Sequence, residues 1–223
     1  MQHNDTLVWD WPVRACHWLL VVSVAGAWAS HYAGLEWFDW HRRLGYVALV
    51  LVLFRVAWGF VGPRHARFGS FVRGPATVVE YVRDGGARRY VGHNPLGALS
   101  VLAFLGVLVV QATTGLFAND EIANAGPFYG WVSQETSNRL ASVHRLNSNL
   151  LLGLIALHLV AVAAHEVRRR GLVRAMFTGR KPGVDGEGID GSRGGLALAL
   201  VAALAAALAV AVRAAPEATL AYF

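Results

Sequence analysis

Residues 140–167 read LASVHRLNSNLLLGLIALHLVAVAAHEV, an apolar stretch with two histidines, His144 and His158, in its interior and a third, His165, near its end. A helix of this length can cross a hydrocarbon core of about 30 Å, which takes about 20 residues. Four further apolar blocks lie at about residues 15–33, 44–61, 96–117 and 196–212. The chain is 55% hydrophobic and only 15% charged. Because strand-like alternation is absent and lipid-embedded backbone must be paired internally, the blocks predict an all-α membrane protein with five spanning helices.

The basic residues predict the direction of these spans. The segment between the second and third blocks carries Arg64, Arg67, Arg73, Arg83, Arg88 and Arg89, and the segment after the fourth carries Arg168, Arg169, Arg170, Arg174, Arg180 and Lys181. Such segments stay on the cytoplasmic side. We therefore expect a multi-pass protein of the bacterial inner membrane with a cytoplasmic N-terminus and a periplasmic C-terminus. The same loops account for the net charge of +6, so nucleic-acid binding is not predicted.

The first block has a competing interpretation as a cleaved signal peptide, in which Ala27-Trp28-Ala29 would be the cleavage site. Thirteen residues precede Arg14, however, and they include Trp9 and Trp11, which are typical of a membrane-interface belt. Retention of the first helix is therefore the favoured interpretation, and it keeps His17 in the protein.

Beyond the fourth block, the pattern predicts three further segments. Residues 179–195 are glycine-rich and predict a flexible cytoplasmic linker. Residues 196–213 form an additional transmembrane helix with no ionisable residue before Arg213, which favours a membrane anchor or packing role. Residues 214–223 would be a short external tail. The lone Cys16 excludes an intramolecular disulfide, and no familiar catalytic motif is present, so no catalytic residue is predicted.

Histidines inside the spans carry the functional prediction, because ionisable residues in lipid are costly. His144 and His158 are fourteen residues apart, which is about 40° short of four helical turns and about 21 Å along the axis. They therefore share one face and lie near opposite sides of the bilayer. Neutral imidazole is a good metal ligand. This spacing is suited to two cofactors stacked across the membrane.

Each of these histidines needs a partner at its own depth. In the predicted direction, His17 is level with His158 and His41 is level with His144, which gives two histidine pairs for two haem irons. His31 is at about the same depth as His41, and the spacing alone does not choose between them. Zinc is disfavoured because two ligands per level are fewer than zinc sites use.

Two arginines are expected at the same membrane depth as His17 and His158. Arg55 lies deep in the second block, where a haem propionate would compensate its charge; snorkelling to the cytoplasmic interface is the alternative. Arg14, three residues before His17, could act in the same way or serve as an interfacial anchor. For Gln111, Thr113 and Thr114, bridging between helices is favoured over quinone binding.

Several separated motifs, in order, make the chain resemble the bacterial cytochrome b561 family, close to the b-type cytochrome subunits of nickel–iron hydrogenases and formate dehydrogenases. The resemblance covers roughly residues 7–181. The motifs are Val8-Trp9-Asp10 through Arg14 and His17-Trp18, Trp40-His41 with Gly45-Tyr46, Phe54-Arg55 to Pro63, Gly92-His93-Asn94-Pro95-Leu96-Gly97, Gly115 to Asp120, and His144-Arg145-Leu146-Asn147.

The resemblance implies that residues 1–178 form a four-helix bundle holding two b haems. Its ligands would be His17, His41, His144 and His158, which favours His41 over His31. Quinone would bind beside the cytoplasmic haem, near Arg14, Trp18 and Arg55. Electrons would then pass between a quinone pool and a periplasmic partner, such as a cytochrome c or a hydrogenase-type subunit. The protein would be embedded in membrane lipid, and a homodimer is left open.

Two rival functions belong to other classes. One is a self-sufficient oxidoreductase, for example one passing electrons from superoxide to quinone, with an outer cationic surface of Arg42, Arg43, Arg139 and Arg145. The other is a haem-free membrane anchor or transporter. An electron-transfer protein, or a subunit of an oxidoreductase complex, is favoured over both.

Overall fold

The computed structural model describes residues 5–168, 171–181 and 188–216. Their helices are α1 (Trp11–Tyr32), α2 (Phe38–Val61), α3 (Phe68–Phe71), α4 (Pro75–Arg83), α5 (Pro95–Gly115), α6 (Gln134–Val167), α7 (Leu172–Thr178) and α8 (Gly194–Ala214). Short 3₁₀ turns cover Leu35–Trp37, Arg64–Ala66 and Tyr129–Trp131. Two strands of two residues each, β1 (Thr6–Leu7) and β2 (Arg180–Lys181), pair antiparallel.

Five of these helices, α1, α2, α5, α6 and α8, are long and apolar enough to cross a membrane. The all-α membrane architecture with five spanning segments is therefore confirmed. Two helices begin well before their apolar blocks: α2 begins at Phe38 rather than near residue 44, and α6 begins at Gln134 rather than near residue 140. The apolar blocks mark only the hydrocarbon part, because a helix can continue into polar surroundings where water satisfies its side chains.

A buried carboxylate fixes the beginning of α1. Asp10 immediately precedes the helix and accepts a hydrogen bond from the backbone N–H of Val13, as an N-cap residue does. The carboxylate is 3% exposed and also accepts a hydrogen bond from Trp58 Nε1 at 2.8 Å. Burial raises the pKa of Asp10, and the hydrogen bond from Trp58 opposes that rise.

The beginning of α5 is also fixed by a side-chain cap. Asn94 Oδ1 accepts the backbone N–H of Gly97 at 2.7 Å, and Pro95 occupies the first helical position, where its missing N–H costs nothing. This cap places His93 directly before the helix. The residue therefore lies at a defined position rather than in a free loop.

The helices contribute to two compact units. The first unit comprises Met1–His17, Arg55–Leu105 and Leu154–Ala197, and the second comprises Trp18–Phe54, Gly106–Gly153 and Leu198–Phe223. In the first unit, the β1–β2 pair continues into Gly179, whose carbonyl accepts the N–H groups of Val8 and Trp9 at 2.8 and 3.0 Å. Gly179 has φ 80°, and a Cβ there would lie 2.5 Å from the Trp9 carbonyl oxygen, so this position requires glycine.

The predicted flexible linker, residues 179–195, is described only at its two ends, since residues 182–187 lie outside the described residues. Arg180–Lys181 form β2, and the N–H of Ile189 donates to the Leu7 carbonyl at 2.9 Å. The flexibility of its interior stays a prediction, as does the division of the chain into a bundle, a linker, a fifth helix and a tail.

In the second unit, a polar turn connects α5 to α6. Asp120 Oδ1 accepts the backbone N–H groups of Ile122, Ala123 and Asn124 at 2.8–3.0 Å. Partial burial alone would raise the pKa of Asp120, but these donors outweigh it and lower the pKa. Asn119 Nδ2 donates to Ser137 Oγ at 2.5 Å, which ties the turn to the first part of α6.

Both ends of α8 are in contact with the rest of the chain. In the first unit, Gly194 lies against the Trp11 ring, and a Cβ added at Gly194 would lie 3.0 Å from that ring. Arg193 Nη1 donates to the Val61 carbonyl at 2.9 Å. In the second unit, Pro216 lies against Gly130. Residues 217–223 of the predicted external tail lie outside the described residues.

Candidate functional site

The second unit brings His41 of α2 and His144 of α6 together. Their ring centroids are 6.2 Å apart, with an interplanar angle of 77°. His41 Nδ1 is 2.7 Å from the Ala27 carbonyl oxygen, and His144 Nδ1 is 2.9 Å from the Gln111 carbonyl oxygen. Because a carbonyl only accepts, each Nδ1 carries the proton and donates it. The Nε2 atom of each neutral ring then holds a lone pair suited to a metal.

A polar network surrounds His144. Gln111 Nε2 donates to His144 Nε2 at 3.0 Å, and Asn147 Nδ2 donates to Gln111 Oε1 at 2.7 Å and to the Val107 carbonyl at 3.0 Å. Gln111 therefore connects α5 with α6, as the sequence favoured. These bonds satisfy polar groups that would otherwise be costly in lipid.

Two glycines leave space at this pair. A Cβ on Gly115 would lie 2.9 Å from His144 Cε1, closer than atoms normally approach, so α5 admits the ring because residue 115 has no side chain. Gly45 follows His41 by one helical turn, and a Cβ there would meet no atom within 4 Å. The face of α2 next to His41 is therefore open.

His31, the alternative left open by spacing, is an exposed residue. Its ring centroid lies 5.0 Å from that of Tyr32 and 5.7 Å from that of His41. It thus lies beside His41 and is more exposed than either His41 or His144.

The first unit brings His17 of α1 and His158 of α6 close enough for their charges to interact. Both rings are partly buried. The His158 ring meets Phe104 of α5 edge-on, with centroids 5.5 Å apart. The two pairs predicted by depth thus fall into separate units, with one histidine of α6 in each.

Both predicted arginines belong to the first unit. Arg55 is 7% exposed, its Nη1 is buried without a hydrogen-bond partner among the described residues, and its guanidinium lies 5.6 Å from the centre of the Phe68 ring. Arg14 donates through Nη1 to the Phe177 carbonyl, while its buried Nε has no partner among the described residues. Each arginine therefore retains an N–H donor directed into the protein, where an acceptor would be stabilising.

Trp18 directly follows His17 in α1 and lies one helical turn after Arg14, and the division into units falls between His17 and Trp18. Among the arginines of the suggested outer cationic surface, Arg42 pairs with Asp39 at 2.6 Å and Arg139 pairs with Glu135 at 2.5 Å. Acidic neighbours therefore compensate part of that surface.

His93 is a residue whose surroundings the sequence analysis missed. Its ring lies 4.6 Å from Trp9 and 4.5 Å from Phe71, centroid to centroid, and its buried Nδ1 has no hydrogen-bond partner among the described residues. The pKa of His93 is lowered to about 3 by burial and by neighbouring basic groups, which are Arg55, Lys181 and His65. The sequence feature that could have indicated this burial is the position of His93 in the Gly92–Gly97 motif, next to Asn94, which caps α5.

Among the described residues, no three His, Cys, Asp or Glu side chains are grouped to hold a metal ion on their own. Pairs of histidines are instead the arrangement that a porphyrin-bound iron uses, because the porphyrin supplies the remaining ligands.

The chain matches the family model for prokaryotic cytochrome b561 over residues 8–179. Similar proteins include the probable Ni/Fe-hydrogenase B-type cytochrome subunits of Rhizobium leguminosarum bv. viciae, 26% identical with 81% of this chain and 90% of the relative covered, and of Azotobacter vinelandii, 29% identical with 77% and 86% covered. The subunit of Azotobacter chroococcum mcd 1 is 28% identical, with the same coverage as that of A. vinelandii. No solved structure matches the chain significantly.

The match extends over all four helices that carry the histidine pairs and their hydrogen-bond partners. The chain therefore belongs to the prokaryotic cytochrome b561 family and is a multi-pass membrane b-type cytochrome that binds haem b and transfers electrons.

Proposed function

We propose that the protein holds two haems b and transfers electrons across the bacterial inner membrane between a quinone pool and a periplasmic redox partner. The partner is a cytochrome c or a hydrogenase-type oxidoreductase subunit. The protein acts as an electron-transfer subunit of a larger complex, with no catalytic residue of its own. The observation that carries this proposal is the geometry of His41 and His144.

Two neutral imidazoles from facing helices would hold the iron of one haem between them, so their rings must lie near each other. The His41 and His144 centroids are 6.2 Å apart. The Nδ1 atoms of both rings donate to backbone carbonyls, which fixes the tautomer in which Nε2 is the acceptor that a metal would use. At His144 the metal would replace the hydrogen bond that Nε2 now accepts from Gln111. These features support the pair as ligands of the outer haem, with His31 outside the site.

For the inner haem, the proposed ligands are His17 and His158. Arg55 and Arg14 support this site because each has a buried N–H donor for which the described residues provide no acceptor. A carboxylate is the acceptor that a guanidinium binds most strongly, and haem b carries two propionates. The arginines would hold the inner haem by its propionates and compensate their charge.

Bound haem iron supplies the redox chemistry by accepting and releasing one electron at a time. The chain contributes the rest. The histidine pairs set the positions of the irons, the carbonyls of Ala27 and Gln111 orient the outer ligands, and the apolar helices exclude water. Arg14 and Arg55 place positive charge beside the inner site, where an added electron is stabilised.

The orientation follows from the basic segments. The arginine-rich stretches at residues 64–89 and 168–181 both lie in the first unit, with His17 and His158. The connections at residues 33–37 and 116–133 lie in the second unit, with His41 and His144. By the positive-inside rule these basic segments would face the cytoplasm, with the N-terminus cytoplasmic and the C-terminus periplasmic.

Quinone is proposed at the inner site, near Arg14 and Arg55. Trp18 is proposed with them because it lies one helical turn after Arg14 in α1. The hydrogenase-type partner is suggested by the printed names of the relatives, which are probable Ni/Fe-hydrogenase B-type cytochrome subunits.

Electron transfer can be tested in purified protein reconstituted into lipid nanodiscs. Addition of a quinol should reduce both haems, seen as a sharpened α band, and a periplasmic-side oxidant should reverse it. A quinone-site inhibitor should perturb the spectrum of the haem that His17→Ala removes. Perturbation only of the haem that His41→Ala removes would contradict the inner quinone site, and a lack of Soret absorption in the purified protein would contradict the function itself.

A further inference from the structure

The helix α4, in the first unit, has an exposed surface that the proposed electron transfer does not use. This nine-residue helix, Pro75–Arg83, is joined to the spanning helix α2 by residues 62–74, which include α3, and to the spanning helix α5 by residues 84–94. It buries Tyr81, which is 5% exposed and meets the Tyr90 ring edge-on at a centroid distance of 5.8 Å. One side of α4 is thus fixed against the protein.

An apolar flank of the same helix is open. Val79 is 48% exposed and Val82 is 56% exposed, and Val72, just before the helix, is 39% exposed. At 100° per residue, Val79 and Val82 lie about 60° apart on the helix, whereas Glu80 lies about 160° from Val82. The exposed surface is therefore divided into a valine flank and a charged flank.

Positive charges border the valine flank. Arg83 occupies the last turn of α4, one turn after Val79, and Arg73 lies next to Val72. Arg73 donates to the Ser70 carbonyl at 3.0 Å, and among the described residues neither Arg73 nor Arg83 has a carboxylate partner. The acid of α4, Glu80, is instead compensated by Arg88 at 3.1 Å on the other flank.

An apolar flank bordered by arginines is the pattern of helices that lie in the membrane interface, with apolar side chains among the acyl chains and arginines at the phosphates. The chain enters and leaves the membrane on either side of this segment, because α2 ends at Val61 and α5 begins at Pro95. The helix is therefore held at the membrane surface by its own connections, which lowers the entropy cost of binding there.

We propose that α4 is an interfacial helix that binds anionic phospholipid, with Val79 and Val82 inserted below the headgroups and Arg73 and Arg83 bound to lipid phosphates. The helix would thereby fix the arginine-rich segment and the adjoining residues His93–Pro95 against the leaflet. This proposal rests on the membrane location of the chain and is independent of which histidines bind haem.

The depth of α4 can be measured directly by spin labelling. The single cysteine, Cys16, is buried and is replaced by serine, after which Val79, Val82 or Glu80 is replaced by cysteine and labelled. The full-length protein is reconstituted in phosphatidylcholine vesicles with or without phosphatidylglycerol. Collisions of the label with oxygen, which concentrates in the acyl region, are compared with collisions with a water-soluble nickel chelate.

We expect labels at positions 79 and 82 to collide with oxygen and to be protected from the nickel chelate, while the label at position 80 shows the reverse. Anionic lipid should deepen positions 79 and 82, and the double variant Arg73→Gln/Arg83→Gln should lose that lipid dependence. Haem absorbance per protein, unchanged in every variant, reports correct folding.

Three outcomes would overturn the proposal. Equal access of the nickel chelate to all three positions would place the valine flank in water. Protection of positions 79 and 82 from both reagents would show that protein, such as a second copy, covers them. Identical depth in neutral and anionic vesicles would exclude recognition of anionic headgroups by the arginines.

Discussion

The His41–His144 pair and the His17–His158 pair lie in contrasting surroundings. The first pair is oriented by neutral hydrogen bonds to the carbonyls of Ala27 and Gln111. The second shares its unit with buried ionisable groups, Arg55 and Asp10. One set of surroundings fixes the orientation of the two rings, and the other places charge near the histidines. We infer that substitutions at the outer pair alter haem occupancy, whereas substitutions around the inner pair alter the reduction potential and the pH dependence.

The largest effect is expected from Gly115→Ala. The new Cβ would lie 2.9 Å from His144 Cε1, so the ring must leave its position and most of the outer haem should be lost. Alanine is otherwise better than glycine inside a helix by about 1 kcal/mol, so a loss cannot be attributed to helix propensity. Optical spectra at matched protein concentration measure it. Gly106→Ala and Gly153→Ala, where a Cβ meets nothing within 4 Å, are controls that should retain both haems.

His93 should make the protein less stable in acid. Its pKa is about 3 in the folded protein and about 6.5 in an unfolded chain. Below pH 6.5 the unfolded state binds the extra proton, so the stability present above pH 6.5 is lost as the pH falls towards 3. The loss should reach about 2 kcal/mol by pH 5.

Thermal unfolding in detergent at pH 7 and pH 5 tests this prediction. His93→Leu should remove that part of the pH dependence. His165→Leu is the matched control, because His165 bonds the Ala161 carbonyl at the surface, and it should keep the slope. An unchanged slope in His93→Leu would show that another group is responsible.

Arg55→Gln should lower the reduction potential of the inner haem and leave that of the outer haem unchanged. The arginine stabilises the reduced form, which carries one more negative charge than the oxidised form. If the arginine stabilises the reduced form over the oxidised form by about 1.4 kcal/mol, its loss corresponds to a fall on the order of 60 mV for a one-electron couple. A spectroelectrochemical titration resolves the two haems. Equal shifts of both potentials would contradict the separation of the two surroundings.

A smaller effect is expected from Asn147→Leu, which removes the hydrogen bonds from Asn147 to Gln111 and Val107. Interhelical polar contacts in membranes contribute about 0.6 kcal/mol on average, so the unfolding midpoint should fall slightly. The outer haem should stay bound because the His144 bond to the Gln111 carbonyl remains. Loss of the outer haem would mean that Gln111 and Asn147 hold His144 in place.

The five spans and the two levels of histidine are predictable from sequence because each depends on a pattern within one stretch of chain. Apolar length predicts the five spans, and the spacing of His144 and His158 along one helix predicts two levels. The burial of His93 between Trp9 and Phe71, and the Asp10–Trp58 hydrogen bond, join residues far apart in the chain. Periodicity carries no information on such contacts. Depth likewise does not separate His31 from His41, because both lie at about the same level and the choice depends on contacts between helices.

The most direct test of the central claim is the amount of haem b per protein in the parent and in single histidine variants, with membrane abundance checked in parallel. The account predicts two haems in the parent. It predicts one in each of His17→Ala, His41→Ala, His144→Ala and His158→Ala, with the same haem lost within each pair, and two in His31→Ala. A parent value of one would contradict the account, as would loss of the outer haem in His31→Ala with its retention in His41→Ala.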